Sequence, residues 1–413
     1  MTDSPASTSP GRPRELLLHV GASKTGTSAL QAGLTASVDG LAAQGVGLPL
    51  PDRRANVRRL LRPLGWETAR GFVHDVDPDG LERLTRRLRS APGERLVVSC
   101  EDLCEADEPR VRALVRCVED AGLRPTVVLS LRSLASVVPS EWQQFLKHRV
   151  TLDYPTFLAR VRDHEGPEAS HFWRRQDAPT ILRRWADVIG ADRVRVLVVS
   201  ARGGDPDALY RAFGQLAGFD PAPIDWPAAD VNPSWGYVEA EVYRRVGVAL
   251  GNRLRDYERE YHPAVRGPLT KGVLPRGASA RITLPPEHLD WVREEALRTR
   301  DAVRAAGYRV DGDLDALVPA DDDARALPPL EEAAVAQAAI TTLANLCTYS
   351  FRRRTRAERD AADAGPSGNA GPTRTPPPSQ EPTPVPAPAR LRRVAGAVRR
   401  RARAALPRPS RGR

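Results

Sequence analysis

The chain has 413 residues, length enough for two or three domains, and a formal net charge of +10 at neutral pH. That charge is local: from Gly365 onward eleven arginines face a single acid, Glu381, and together they carry the whole +10, so residues 1–364 are near neutral. A basic nucleic-acid-binding core is therefore not what the composition describes, and no stretch approaches the 18 apolar residues of a membrane span.

In chain order, residues 1–13 are polar and read as a disordered lead-in. Residues 16–20 form a short apolar run, a buried strand. It breaks at Gly21 into a small-residue loop, and a helix-compatible segment starts near Ala29. Strand, tight loop and helix is the layout that turns backbone N–H groups and a helix N-terminus toward an anion. The loop carries Gly21 and Gly26, the hydroxyls of Ser23, Thr25 and Thr27, and one cation, Lys24. It differs from the G-x-x-x-x-G-K-[ST] phosphate loop, because position 27 is Thr and the lysine precedes the second glycine.

Residues 51–90 are basic with helical patterning, and residues 81–88 read as a solvated amphipathic helix. A second apolar strand, 96–100, ends at Glu101. The following Asp102 and Glu105 have the spacing of a helix capping box, which leaves Glu101 either a first-turn acid or a catalytic one. A third strand, 126–131, ends at Arg132. Leu134, Val137, Val138, Trp142, Phe145 and Leu146 then recur at helical spacing, with Ser140 on that helix eight residues after Arg132. Residues 181–190 and 193–199 read as helix, turn and a fourth buried strand. A helix starts at Asp205, and residues 236–306 are helix-rich. Strands alternating with helices imply an α/β fold with a mostly parallel sheet flanked by helices. Such sheets bind ligands beyond the carboxyl ends of their strands, where Lys24, Glu101 and Arg132 all fall.

The lysine loop followed by Thr25-Gly26-Thr27-Ser28, with an Arg132 and Ser140 pair about a hundred residues later, resembles bacterial sulfotransferases that use 3′-phosphoadenosine 5′-phosphosulfate (PAPS). The resemblance covers roughly residues 14–318, including Val231-Asn232-Pro233-Ser234-Trp235 and a closing segment at 308–317. It implies a P-loop-like sulfotransferase fold in which Ser23, Lys24, Thr25, Gly26, Thr27 and Ser28 hold the 5′-phosphosulfate. It further implies that Arg132 and Ser140 bind the 3′-phosphate and that Lys24 meets the bridging oxygen. Glu101 is the candidate base for an acceptor hydroxyl on a carbohydrate, lipid or small metabolite, and His19, on the first strand where a hydrogen-bonded core histidine is the commoner outcome, is the other. Two departures stand out. Ala29 and Leu30 follow the loop where better-known relatives place an aromatic residue, and only Arg266-Gly267 and Arg276-Gly277 echo their late Arg-Lys-Gly. The alternatives are a nucleotide-dependent phosphotransferase, for which the lysine is displaced and no Asp ends strand 126–131, or an inactive relative tethered through its tail.

Residues 319–364 read as a helical extension and 365–413 as a disordered Pro/Arg-rich tail. Within the tail, 389–406 reads first as a disordered basic stretch that aids solubility; as a helix it would be basic and amphipathic, suited to an anionic membrane surface, with nucleic acid the lesser fit. Cys100, Cys104, Cys117 and Cys347 include no C-x₂-C pair and no clustered histidines, so no metal is expected. With no apolar signal core at the N-terminus, the expectation is a cytoplasmic protein with free thiols.

Overall fold

A run of apolar residues that is buried on both faces makes a strand of a covered parallel sheet, and four such runs build the centre of this protein. The structure is a computed structural model. It describes residues 14–363 except 69, 200–206, 225, 227–233 and 276–278. Eight strands are present among the described residues: β1 (Arg14–His19), β2 (Val46–Gly47), β3 (Trp66–Glu67), β4 (Gly71–Phe72), β5 (Arg95–Ser99), β6 (Leu123–Leu131), β7 (Val194–Val198) and β8 (Arg309–Asp311). Six form one sheet in the order β2-β5-β1-β6-β7-β8, every pairing parallel. β3 and β4 form a separate antiparallel hairpin.

Alternation along β1 sorts its side chains to two cores. Leu16 and Leu18 face one side with Val98, Leu129 and the helix Ala178–Ile189. Leu17 faces the other with Val128, Leu197 and Leu30 of the helix Thr27–Ala36. A third cluster, around Trp142, Tyr154, Phe172 and Tyr243, lies outside the sheet and packs the helix Leu134–Lys147 against later helices.

The order puts β1 between β5 and β6, with chain crossing to either side. That is the switch point at which the loops after the strands part and leave a crevice. The loops after β5, β1 and β6 carry Glu101, Lys24 and Arg132. The edge strands β2 and β8 are two and three residues long. Helices occupy most of residues 237–305, as expected. The last helix, Glu332–Asp363, runs past Arg354, where Arg354–Glu358 and Arg356–Asp360 pairs at i,i+4 support another two turns. The Pro/Arg-rich tail, the segment 389–406 and Val231-Asn232-Pro233 lie outside the described residues. No described helix is long and apolar enough to cross a membrane, and no three His, Cys, Asp or Glu side chains gather as a metal set among the described residues.

Candidate functional site

The loop after β1 keeps to the sheet before it turns. The Ala22 amide donates to the Ser130 carbonyl at 2.9 Å, which continues the β6 pairing beyond His19. Lys24 then takes φ 64°, a left-handed conformation uncommon for a residue with a side chain, and Gly26 takes φ 87° at the start of the helix Thr27–Ala36. Two hydroxyls turn inward and hold the loop. Thr25 Oγ1 donates to the Ala22 carbonyl at 2.8 Å. Ser23 Oγ donates to the buried carboxylate of Glu141 and accepts from Gln176 Nε2 at 2.8 Å. The helix start has no side-chain cap and no acid in its first turn. Its amides and positive dipole end are therefore available to an anion, with Ser28 exposed beside them.

Lys24 Nζ donates to Gln144 Oε1 at 3.1 Å, a neutral partner. Gln144 Nε2 lies 3.0 Å from His148 Nε2, and the His148 ring stacks on Tyr257 with centroids 5.6 Å apart and planes at 7°. Arg266 Nη1 donates to the Tyr257 hydroxyl. Desolvation pulls the His148 pKa down to about 3, with the nearby charges of Arg266, His171, Arg175 and Lys24 pushing the same way. Arg266, half of the Arg266-Gly267 echo, thus reaches the Tyr257–His148 stack, whose histidine contacts Gln144, the partner of Lys24; Arg276-Gly277 lies outside the described residues.

Glu101 opens the short 3₁₀ turn Glu101–Glu105 directly after β5 and accepts a hydrogen bond from Thr27 Oγ1. Burial raises its pKa, but Arg175, the Thr27 hydroxyl, Lys24 and Arg53 together outweigh burial and hold it below the usual glutamate value. The capping box spelled by Asp102 and Glu105 does not form. No side chain caps the turn, and both acids pair with Arg175, at 3.3 and 2.5 Å. Arg175 supplies a charge strong enough to take both carboxylates from 70 residues away, which leaves Glu101 turned toward the loop.

Arg132 follows β6, and its Nε is buried without a hydrogen-bond partner, as is the hydroxyl of its neighbour Ser133. Among the described residues no carboxylate pairs with it, and burial together with the like charge of Arg281 lowers its pKa. Ser140 Oγ donates to the Ser136 carbonyl at 3.1 Å within the helix Leu134–Lys147. That helix, like Thr27–Ala36, starts without a side-chain cap or an acid in its first turn.

His19 takes a different place from the one a base needs. It is fully buried, with Nδ1 2.8 Å from Ser99 Oγ on β5 and Nε2 2.9 Å from Ser130 Oγ on β6. Both ring nitrogens are engaged, and desolvation pulls its pKa down to about 4 against the opposing charge of Glu101. A neutral ring with both nitrogens taken is a strut across three strands, with no free lone pair for an acceptor.

The structure therefore brings Lys24, Thr27 and Glu101 into direct or electrostatic contact, and it turns Ser23 and Thr25 to support. Sequence reasoning missed Glu141, Gln144, His148, Arg175 and Gln176. For the first three a signal existed: on a helix with an apolar face they form a polar stripe at positions 141, 144 and 148.

No family model and no curated protein matches the chain. Among solved structures it is similar to the crystal structure of a sulfotransferase from Alicyclobacillus acidocaldarius, with 18% identity and a TM-score of 0.37 over 59% of this chain and 96% of that one. So distant a likeness carries no weight for function, which rests on the residues of the site.

Proposed function

We propose that the protein transfers a sulfuryl group from PAPS to an acceptor hydroxyl on a carbohydrate, lipid or small metabolite. The observation that carries this reading is the buried, unpartnered Nε of Arg132 at the same sheet edge as the uncapped loop of Lys24. A buried donor without a partner is costly, and a cation beside another cation more so, unless an anion completes the set. Two separate anion positions, one at each helix start, fit a nucleotide with phosphates at both ends of its ribose better than they fit a single triphosphate chain.

In this reading Lys24, the amides of residues 25–28 and Ser28 hold the 5′-phosphosulfate. Arg132 holds the 3′-phosphate, with Ser140 turning its hydroxyl from the Ser136 carbonyl to join it. Glu101, kept ionised and oriented by Thr27, accepts the proton of the acceptor hydroxyl as its oxygen bonds to sulfur. The bond from sulfur to the bridging phosphate oxygen breaks in the same step, and Lys24 opposes the charge left on that oxygen. Residues 389–406 would bring the protein to an anionic membrane surface.

A nucleotide panel read by thermal unfolding tests the proposal. Adenosine 3′,5′-bisphosphate at a hundred times its dissociation constant should stabilise the protein by about 2.7 kcal/mol, with ATP and Mg²⁺ doing much less. Equal stabilisation by ATP would favour a phosphotransferase.

A further inference from the structure

The helix Glu332–Asp363 has two apolar faces, and among the described residues the protein body covers one. Val335 and Thr342 are buried, and Asn345 Nδ2 donates to the Val273 carbonyl at 3.0 Å from that same face. On the opposite side Ala336, Ile340, Leu343 and Cys347 recur at intervals of three and four. All are exposed, Ile340 and Leu343 each at 61%. Single exposed apolar residues are ordinary, but a row at the spacing of a two-helix seam is not.

Charge along the helix identifies what covers the row. Glu331 and Glu332 stand at its start, and Arg352 and Arg353 follow the seam, while Arg354 and Arg356 pair with Glu358 and Asp360 along their own helix. Glu332 is paired with Arg245, while Glu331 is exposed. A parallel pair of these helices would lay arginine beside arginine. An antiparallel pair centred between Leu343 and Ala344 sets the arginines of each helix against the glutamates of the other and opposes the two helix dipoles. The same register places Ile340 against Cys347 and Leu343 against Ala344, which is a self-complementary two-fold arrangement.

We infer that the Ile340–Leu343 face of the last helix is a homodimer interface, an antiparallel seam with a second copy of this chain. It is independent of the sulfotransferase reading. The seam from 336 to 347 spans about 16 Å at 1.5 Å per residue. That is small for a stable interface, so the dimer should be reversible over roughly 1–100 µM.

The test uses the full chain under reducing conditions. Sedimentation velocity should show monomer giving way to dimer across that range, and Leu343→Asp, at an exposed position, should leave only monomer with unchanged thermal unfolding. Register is read separately by mild oxidation. Ile340→Cys should form an intermolecular disulfide with Cys347 of the partner subunit, whereas the wild type, whose two Cys347 lie off the two-fold axis, should not. A wild type that stays monomeric throughout overturns the inference. So does a wild type that cross-links as readily as Ile340→Cys, which would mean a parallel pair. So does a monomer whose binding to phosphatidylserine vesicles is abolished by Leu343→Asp, which would make the face a membrane contact.

Discussion

Arg132→Met separates a ligand-binding arginine from a structural one by the sign of two effects. Methionine keeps the apolar stem and removes the guanidinium, whose Nε has no partner and whose charge lies near Arg281. Relief of an unsatisfied buried donor is worth about 1–3 kcal/mol. Against this stands a small loss of packing, so the ligand-free variant should unfold at the same temperature as the wild type or a few degrees higher. Binding should move the other way. Two charge-assisted hydrogen bonds to a phosphate, at about 1.5–3 kcal/mol each, are lost, and a net loss near 3 kcal/mol is roughly 150-fold in affinity. Calorimetric titration with adenosine 3′,5′-bisphosphate and with adenosine 5′-phosphate supplies a cycle. The wild type should prefer the bisphosphate strongly, and the variant should keep only the weak preference that the Ser140 hydroxyl supplies, because the guanidinium contact to the 3′-phosphate has gone. A variant that loses more than about 1 kcal/mol of ligand-free stability while keeping the preference would show that Arg132 supports the fold and that the 3′-phosphate binds elsewhere.

Lys24→Ala should cut turnover by about 10²–10³ through loss of the cation at the leaving oxygen. It should also shift the acid limb of the pH–rate profile upward, since Lys24 is one of the charges holding the Glu101 pKa down. Glu101→Gln should bind nucleotide normally yet turn over about 10²–10⁴ more slowly in single-turnover assays; full turnover in this variant would remove Glu101 as the base. His19, with its pKa lowered from 6.5 to about 4, should make the protein acid-labile. The unfolded chain takes the proton first, so the stability at stake is complete above pH 6.5 and is lost as pH falls toward 4, about 3 kcal/mol in all. Urea unfolding at pH 7 and pH 5 should show this slope flattened in His19→Asn, and an unchanged slope would assign the acid lability to other groups.

What could be read without coordinates follows from how local each determinant is. The expected strands at 16–20, 96–100, 126–131 and 194–199 correspond to β1, β5, β6 and β7, because a strand covered on both faces writes its burial into a continuous apolar run. β2 and β8 have no such run. Val46–Gly47 and Arg309–Asp311 become strands only because β5 and β7 offer open edges, and a partner's edge leaves no local mark. The site divides in the same way. Lys24, Glu101 and Arg132 were legible as polar residues in the loops just past strand ends, which a parallel sheet gathers at one rim. Arg175 was not, because it reaches Asp102 and Glu105 from far along the chain and nothing near it in sequence marks those partners. The capping box at residues 102–105 shows how such a partner overrules a local rule. A cap hydrogen bond contributes about 1 kcal/mol, whereas the buried guanidinium of Arg175 pairs directly with both acids, at 3.3 and 2.5 Å. Arg175 thereby draws both acids away from the cap position. The burial of Arg175 among these carboxylates therefore decides the role of a residue that it pairs with neither by hydrogen bond nor by salt bridge. With Asp102 and Glu105 occupied, Glu101 is the acid of the turn that faces Thr27 and Lys24.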